Sequence, residues 1–150
     1  MTEETYSIYS STGYWVTRLA RAIEADFEKR LEIYGMTRAT WVVLSTIFHD
    51  KKTTPAALAS FIGIDGAAIT RHLDRIEKQG LIVRDRSLSD RRSIYLKITK
   101  KGARLVPQIV ADSKATNEKF LAGLEHSEMD QIVEIARKML ENADAVPGDI

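Results

Sequence analysis

The stretch from Ile64 to Gly102, IDGAAITRHLDRIEKQGLIVRDRSLSDRRSIYLKITKKG, changes its periodicity partway along. Ile69, Leu73 and Ile76 recur at helical spacing, and Gly80 follows as a stop signal. Ile94, Leu96 and Ile98 then alternate with Tyr95 and Lys97, the pattern of a half-buried ribbon. The expectation is a short helix, a strand from Leu81 to Arg84, an arginine-rich tip from Asp85 to Ser93, and a return strand from Ile94 to Ile98. A helix shaped for the major groove beside a basic hairpin points to double-stranded DNA as the partner.

The charge distribution points the same way. The 150-residue chain has a net charge of only +1. Between Arg71 and Arg104, however, 11 Lys and Arg face four Asp and Glu. Residues 105–150 reverse the sign, with 4 basic and 9 acidic residues. A polyanion is therefore drawn to the middle of the chain and repelled by its end.

Composition excludes several classes. This length fits one domain, with a sizeable core. No apolar run reaches the roughly 20 residues of a membrane span. The start, MTEETYSIYS, is acidic and polar, unlike a secretory or transit segment. The expectation is a cytoplasmic protein without a membrane role. The chain has no cysteine, so it forms no disulfide, thiolate metal site or cysteine redox switch. No glycine-rich phosphate loop, metal-ligand cluster or spaced nucleophile triad is legible, and no enzyme activity, metal or cofactor is expected.

Outward from the quoted stretch the pattern is helical. Before it, Thr54-Pro55 is a helix start and Gly63 a stop, which makes a short helix and then a tight turn capped by Asp65. The pair forms a helix-turn-helix. Thr37 caps an earlier helix through Trp41, Leu44, Ile47 and Phe48. Trp15, Leu19, Ile23, Phe27, Leu31 and Tyr34 mark a long first helix ending near Gly35. After the hairpin, Thr99 opens another long helix, which Pro107 should kink. Ser127 with Asp130 suggests a capping box for a last helix carrying Met129, Ile132, Val133, Ala136 and Leu140. The first and last helices offer more apolar surface than a small central module can cover, which predicts packing between two chains.

These residues resemble a known family. Asp90-Arg91-Arg92-Ser93-Ile94-Tyr95-Leu96-Lys97-Ile98-Thr99, with Gly102, resembles the D-x-R…(V/L)-x-L-T…G signature of the MarR family of bacterial transcription regulators, with Ile98 in place of leucine. Met36-Thr37-Arg38-Ala39-Thr40-Trp41 resembles the family's L-T-x-x-x-W helix start. Leu58 to Ile64 and Leu73 to Ile82 resemble the helix-turn-helix of its SlyA branch. The resemblance implies a homodimer on a palindromic operator, usually a repressor, often released by a small phenolic or aromatic carboxylate ligand. The family's peroxide-sensing cysteine is absent here.

The expected fold is mainly α with a small β-hairpin wing: a winged helix-turn-helix with a helical dimerisation region. It is read as a single domain over 1–150, with DNA binding in 37–102 and dimerisation in 1–34 and 105–145. On the DNA side, Arg71 lies opposite the apolar stripe and suits a bidentate contact to guanine. Thr70 and His72 are its neighbours for base edges, and Ala67 and Ala68 are small enough for close backbone approach. By resemblance, Arg92 enters the minor groove and Asp90 holds it, while Arg91 meets phosphate; the two arginines can also exchange roles. Arg86, with Arg84, and Arg38 are candidates for backbone contacts. Tyr14, Trp15, Arg18, Trp41 and His49 are candidates for a ligand cavity, with Arg18 as a carboxylate partner. Ordinary core packing is the stronger reading for Trp41. A winged-helix module for an acidic protein or for RNA stays open as an alternative.

Overall fold

Five of the six α-helices among the described residues open on a side-chain cap. In the computed structural model, which describes residues 7–86 and 94–143, Ser11, Thr37, Thr54, Asp65 and Thr99 each accept a hydrogen bond from a first-turn backbone N–H, at 2.8–3.4 Å. Each cap satisfies a donor that the helix itself leaves unpaired. The helices are α1 (Thr12–Leu31), α2 (Arg38–His49), α3 (Pro55–Ile62), α4 (Gly66–Lys78), α5 (Lys100–Leu121) and α6 (His126–Asn142). A 3₁₀ turn at Glu32–Tyr34 leads from α1 to Gly35.

The last cap differs from the expected Ser127–Asp130 box. Glu125 is the cap of α6, and its N–H donates to Glu128 Oε2 at 2.8 Å. A long carboxylate three residues on reaches back over the first turn, so the helix begins two residues before the position expected from Ser127. Pro107 does not end α5, which continues from Lys100 to Leu121.

β1 (Ile82–Arg86) and β2 (Ile94–Ile98) pair antiparallel, from Ile82↔Ile98 to Arg86↔Ile94. The first strand therefore starts after Leu81 and runs two residues past the expected Arg84 end, because Asp85 and Arg86 still find ladder partners. The outward face of the ribbon carries a cross-strand pair, Lys97 Nζ to Asp85 Oδ2 at 2.5 Å. Leu96 faces the core, and its N–H donates to Thr53 O at 2.7 Å, which ties the hairpin to the start of α3.

One hydrophobic cluster joins α2 (Trp41, Val43, Leu44, Ile47), α3 (Leu58, Ile62), α4 (Ile69, Leu73, Ile76) and the hairpin (Leu81, Ile82, Leu96). It does not stop at the 37–102 boundary. Phe27 and Leu31 from α1 and Val106 and Ile109 from α5 are buried in the same cluster. The base of α5 is locked onto the turn after α4. Thr99 Oγ1 donates to Gly80 O at 2.7 Å, and a Cβ on Gly102 would lie 2.3 Å from Leu81 O. Only glycine permits that approach. The T…G end of the hairpin signature is thus a packing device.

A second, polar seam joins α1 to α5. Asp26 accepts from Lys119, from Arg30 at 3.2 Å and from Thr116 at 3.1 Å. Tyr34 donates to Asp112 at 2.6 Å. By contrast, α6 contributes no buried residue.

Candidate nucleic-acid interface

The orientation of α4 follows from its stripe. Ile69, Leu73 and Ile76 are at most 1 % exposed, so the opposite face, with Ala67, Thr70, Arg71, Asp74 and Lys78, meets solvent. Gly63 in the turn before it adopts φ 75°, left-handed backbone that suits a residue without Cβ. This turn sets α4 against α2 and α3, with β1 on its other flank.

Arg71 is exposed on that face, where it was expected. Ala67 is exposed and Ala68 half-buried in the first turn, and Ala68 donates its N–H to Asp65 Oδ1 at 2.8 Å. That bond holds the Asp65 carboxyl below its ordinary pKa. Thr70 Oγ1 donates to Gly66 O at 2.8 Å. Its hydrogen is spent inside the helix, so toward a base it can only accept.

His72 is turned away from the outermost face. Its ring is half-buried, and Nδ1 lies 3.1 Å from Oγ1 of the buried Thr40 on α2. Thr40 Oγ1 is in turn 3.0 Å from Oγ1 of Thr37, the cap of α2. Burial, then the charges of Arg75 and Arg71, push the imidazole pKa down. A direct base contact by His72 needs its other edge.

Arg84 is the clearest correction among the basic residues. Expected to reach the DNA backbone, it instead grips α4: Nη2 lies 2.7 Å from Asp74 Oδ1, and Nη1 lies 3.2 Å from Glu77 Oε2. Its backbone N–H also donates to Glu77 Oε1 at 3.1 Å. One guanidinium thus neutralises both acids of α4 and fastens the hairpin base to the helix. Arg71, Arg75 and Lys78 are left as the charge this helix shows to solvent. Sequence spacing could not reveal this, because the strand register that places Arg84 beside Asp74 is a tertiary outcome.

Arg38 lies exposed at the start of α2, with Nη1 3.1 Å from Glu24 Oε1 on α1. An exposed pair of this kind is worth roughly 0–1 kcal/mol, so Arg38 can exchange Glu24 for a phosphate at little cost. Arg86 closes the described ladder opposite Ile94. Asp90, Arg91 and Arg92 lie outside the described residues.

The five ligand candidates separate into three places. Tyr14, Trp15 and Arg18 gather at the start of α1: the two rings meet edge-on with centroids 5.3 Å apart, and Arg18 donates to the Tyr14 hydroxyl at 2.8 Å. Trp41 is 8 % exposed and belongs to the core. His49 lines a cleft of about 320 Å³ with Phe48, Val106, Val110, Ala111 and Lys114. Lys114 also borders a second cleft, of about 370 Å³, with Asn117, Leu121 and Met129. Lys114 escaped the sequence reading because it reads as one more solvated lysine on a long helix.

Known proteins share this arrangement. Residues 36–94 match the model of the MarR family. A crystal structure of the transcriptional regulator PA3341 superposes with a TM-score of 0.75 at 28% identity, covering 91% of this chain and 100% of that one. YusO from Bacillus subtilis superposes at 0.70 with 26% identity, over 89% of this chain and 95% of its own. BpsR from Bordetella bronchiseptica, whose DNA binding is described as regulated by 6-hydroxynicotinic acid, has 24% identity and a TM-score of 0.75, over 89% of this chain and 96% of its own.

Proposed function

This chain belongs to the MarR family of transcriptional regulators, which are DNA-binding proteins and not enzymes, and from that premise we propose that it is a homodimeric repressor of a palindromic operator, released by a small aromatic ligand. The outward face of α4 carries the reading: Arg71, Arg75 and Lys78 stand exposed while Arg84 holds back both of the helix's acids. Arg71 reads a guanine edge, with Thr70, Ala67 and Ala68 beside it. Arg92 enters the minor groove next to Asp90, and Arg91, Arg86 and Arg38 meet phosphates.

The apolar surface left open supports the dimer. Ile132, Val133, Ile135 and Met139 of α6 are 44–61 % exposed, and Trp15, Val16 and Leu19 of α1 are 49–54 % exposed. A second copy covering both helices satisfies them. Residues 1–34 and 105–145 form the dimerisation region, and 37–102 carries the DNA contacts. Two α4 helices then lie one turn of duplex apart, roughly 34 Å. For the ligand, a flat carboxylate fits the His49 cleft, where the Lys114 ammonium supplies the counter-charge. The aromatic acid in the description of BpsR is of this chemical type.

A gel shift tests the reading. The DNA flanking the protein's own gene is the probe, with unrelated duplex and RNA as competitors. Specific retardation, resistant to both competitors, is the expected result. Equal displacement by RNA or by random duplex removes the operator.

A further inference from the structure

We propose that His72 is an affinity-setting residue of the DNA-binding face: its imidazole is neutral in the free protein, and DNA binding adds a proton to it. This rests on the reading of α4 as the DNA-facing helix. The geometry is particular to this position. The ring sits on α4 between the exposed Arg71 and Arg75, half-buried, with Nδ1 at 3.1 Å from the hydroxyl of the buried Thr40. Thr40 can serve that nitrogen in either state. Its hydroxyl donates to a bare Nδ1, or it accepts from a protonated one and donates to Thr37 Oγ1, 3.0 Å away. Protonation therefore leaves no buried group unpaired.

The surroundings decide when the proton binds. Among the described residues, the charged groups on the elements packed against α4 are few. On α4 itself are Arg71, Arg75 and Lys78, and the acids Asp74 and Glu77, both held by Arg84 from β1. The remaining charges on β1 are Arg86 and Asp85, and Lys97 pairs with the latter. α2 offers Arg38, paired with Glu24, and α3 carries no charged residue. In the free protein, burial and then the two flanking arginines disfavour a charged ring. The duplex's phosphates, brought against this face with Arg71 in the groove, offset the two arginines in the local field and favour it.

Linkage fixes the direction. A group whose pKa rises on binding takes up a proton, so affinity increases as pH falls through the window between the free and bound values. Burial and the flanking arginines hold the free value below 6.5, so the lower edge of the window lies below it too. A rise of about one pKa unit gives about tenfold tighter binding per protomer across that window.

The experiment measures the affinity of the full chain for a random-sequence duplex, and for the duplex flanking its own gene, from about pH 8 to about pH 5.5 at fixed ionic strength. His72→Asn is compared alongside, since its amide can keep the Thr40 bond without titrating. His49 and His126 remain in both proteins, so their contribution cancels. The expected result is a wild-type affinity that climbs toward low pH by about tenfold more per protomer than that of the variant, and so by up to about a hundredfold for a dimer seated on both half-sites. In parallel, the His72 ring resonances of the wild type are titrated free and with duplex, and the pKa should rise on binding. That measurement needs no folded variant. Equal slopes in the two proteins, or an unmoved pKa, overturn the proposal while the DNA reading stands. No binding to either duplex at any pH removes both.

Discussion

Arg71 and Gly102 show how much one side chain decides here. Arg71 projects from the face opposite Ile69 and Leu73, where a guanidinium can meet both acceptors of a guanine. Arg71→Ala should cost about 1–3 kcal/mol on the cognate site and relax one base position per half-site. Equal losses on cognate and random duplex would reassign it to phosphate. Gly102 tests packing. A methyl at this position meets the Leu81 carbonyl at 2.3 Å, so Gly102→Ala must push α5 off the turn after α4. Overpacking of that kind costs about 1–3 kcal/mol, visible as a lower denaturation midpoint. An unchanged midpoint would mean that the contact yields freely.

Among elements, the hairpin and α4 are joined by Arg84, which bridges them twice. Arg84→Met keeps the buried stem but releases Asp74 and Glu77 beside Arg71. DNA affinity should then fall, both from added negative charge and from a looser hairpin, with the fold retained. The loss should shrink at high salt as far as it is electrostatic. A variant with wild-type affinity would show that the clamp is irrelevant to binding. The α1–α5 seam is the second such unit. The Lys119 hydrogen bond, more than those from Arg30 and Thr116, pulls the Asp26 carboxyl down to about 2. A depressed carboxylate contributes stability above its unfolded pKa near 3.8, and loses it as pH falls toward about 2. Asp26→Asn should therefore lower the unfolding midpoint at neutral pH and flatten the acid limb between those values. A parallel acid limb in both proteins would contradict the depressed pKa.

For the whole molecule the open question is what covers α6. Ile132 is 45 % exposed and outside the hydrophobic cluster, so Ile132→Glu should leave the protomer folded while splitting the proposed dimer. Sedimentation should show a monomer with native circular dichroism, and operator affinity should drop steeply because the two half-sites no longer share one binding event. A dimer that survives the charge would place the interface elsewhere. Removing residues 105–150 is a poorer test, since Val106 and Ile109 belong to the common core.

Local signals in the sequence determined most of the elements and their caps. Thr37, Thr54, Asp65 and Thr99 each open a helix where a short polar side chain precedes an apolar period, and β2 runs over the expected residues. Such features depend on neighbours three or four positions away, which spacing records directly. The start of α6 escaped because Ser127 is the stronger cap by residue type, whereas the helix opens two residues earlier on the Glu125–Glu128 pair. Only the tertiary structure decided which charges remain free. Arg84 was one basic residue among many until the strand register set it against Asp74 and Glu77. His72 looked like a base reader until the packing of α2 placed Thr40 against its ring. The five ligand candidates share aromatic or basic chemistry, yet they lie at three places in the fold. Long-range partners are set by how the helices pack, and a linear pattern carries the composition of a face without saying what that face will meet.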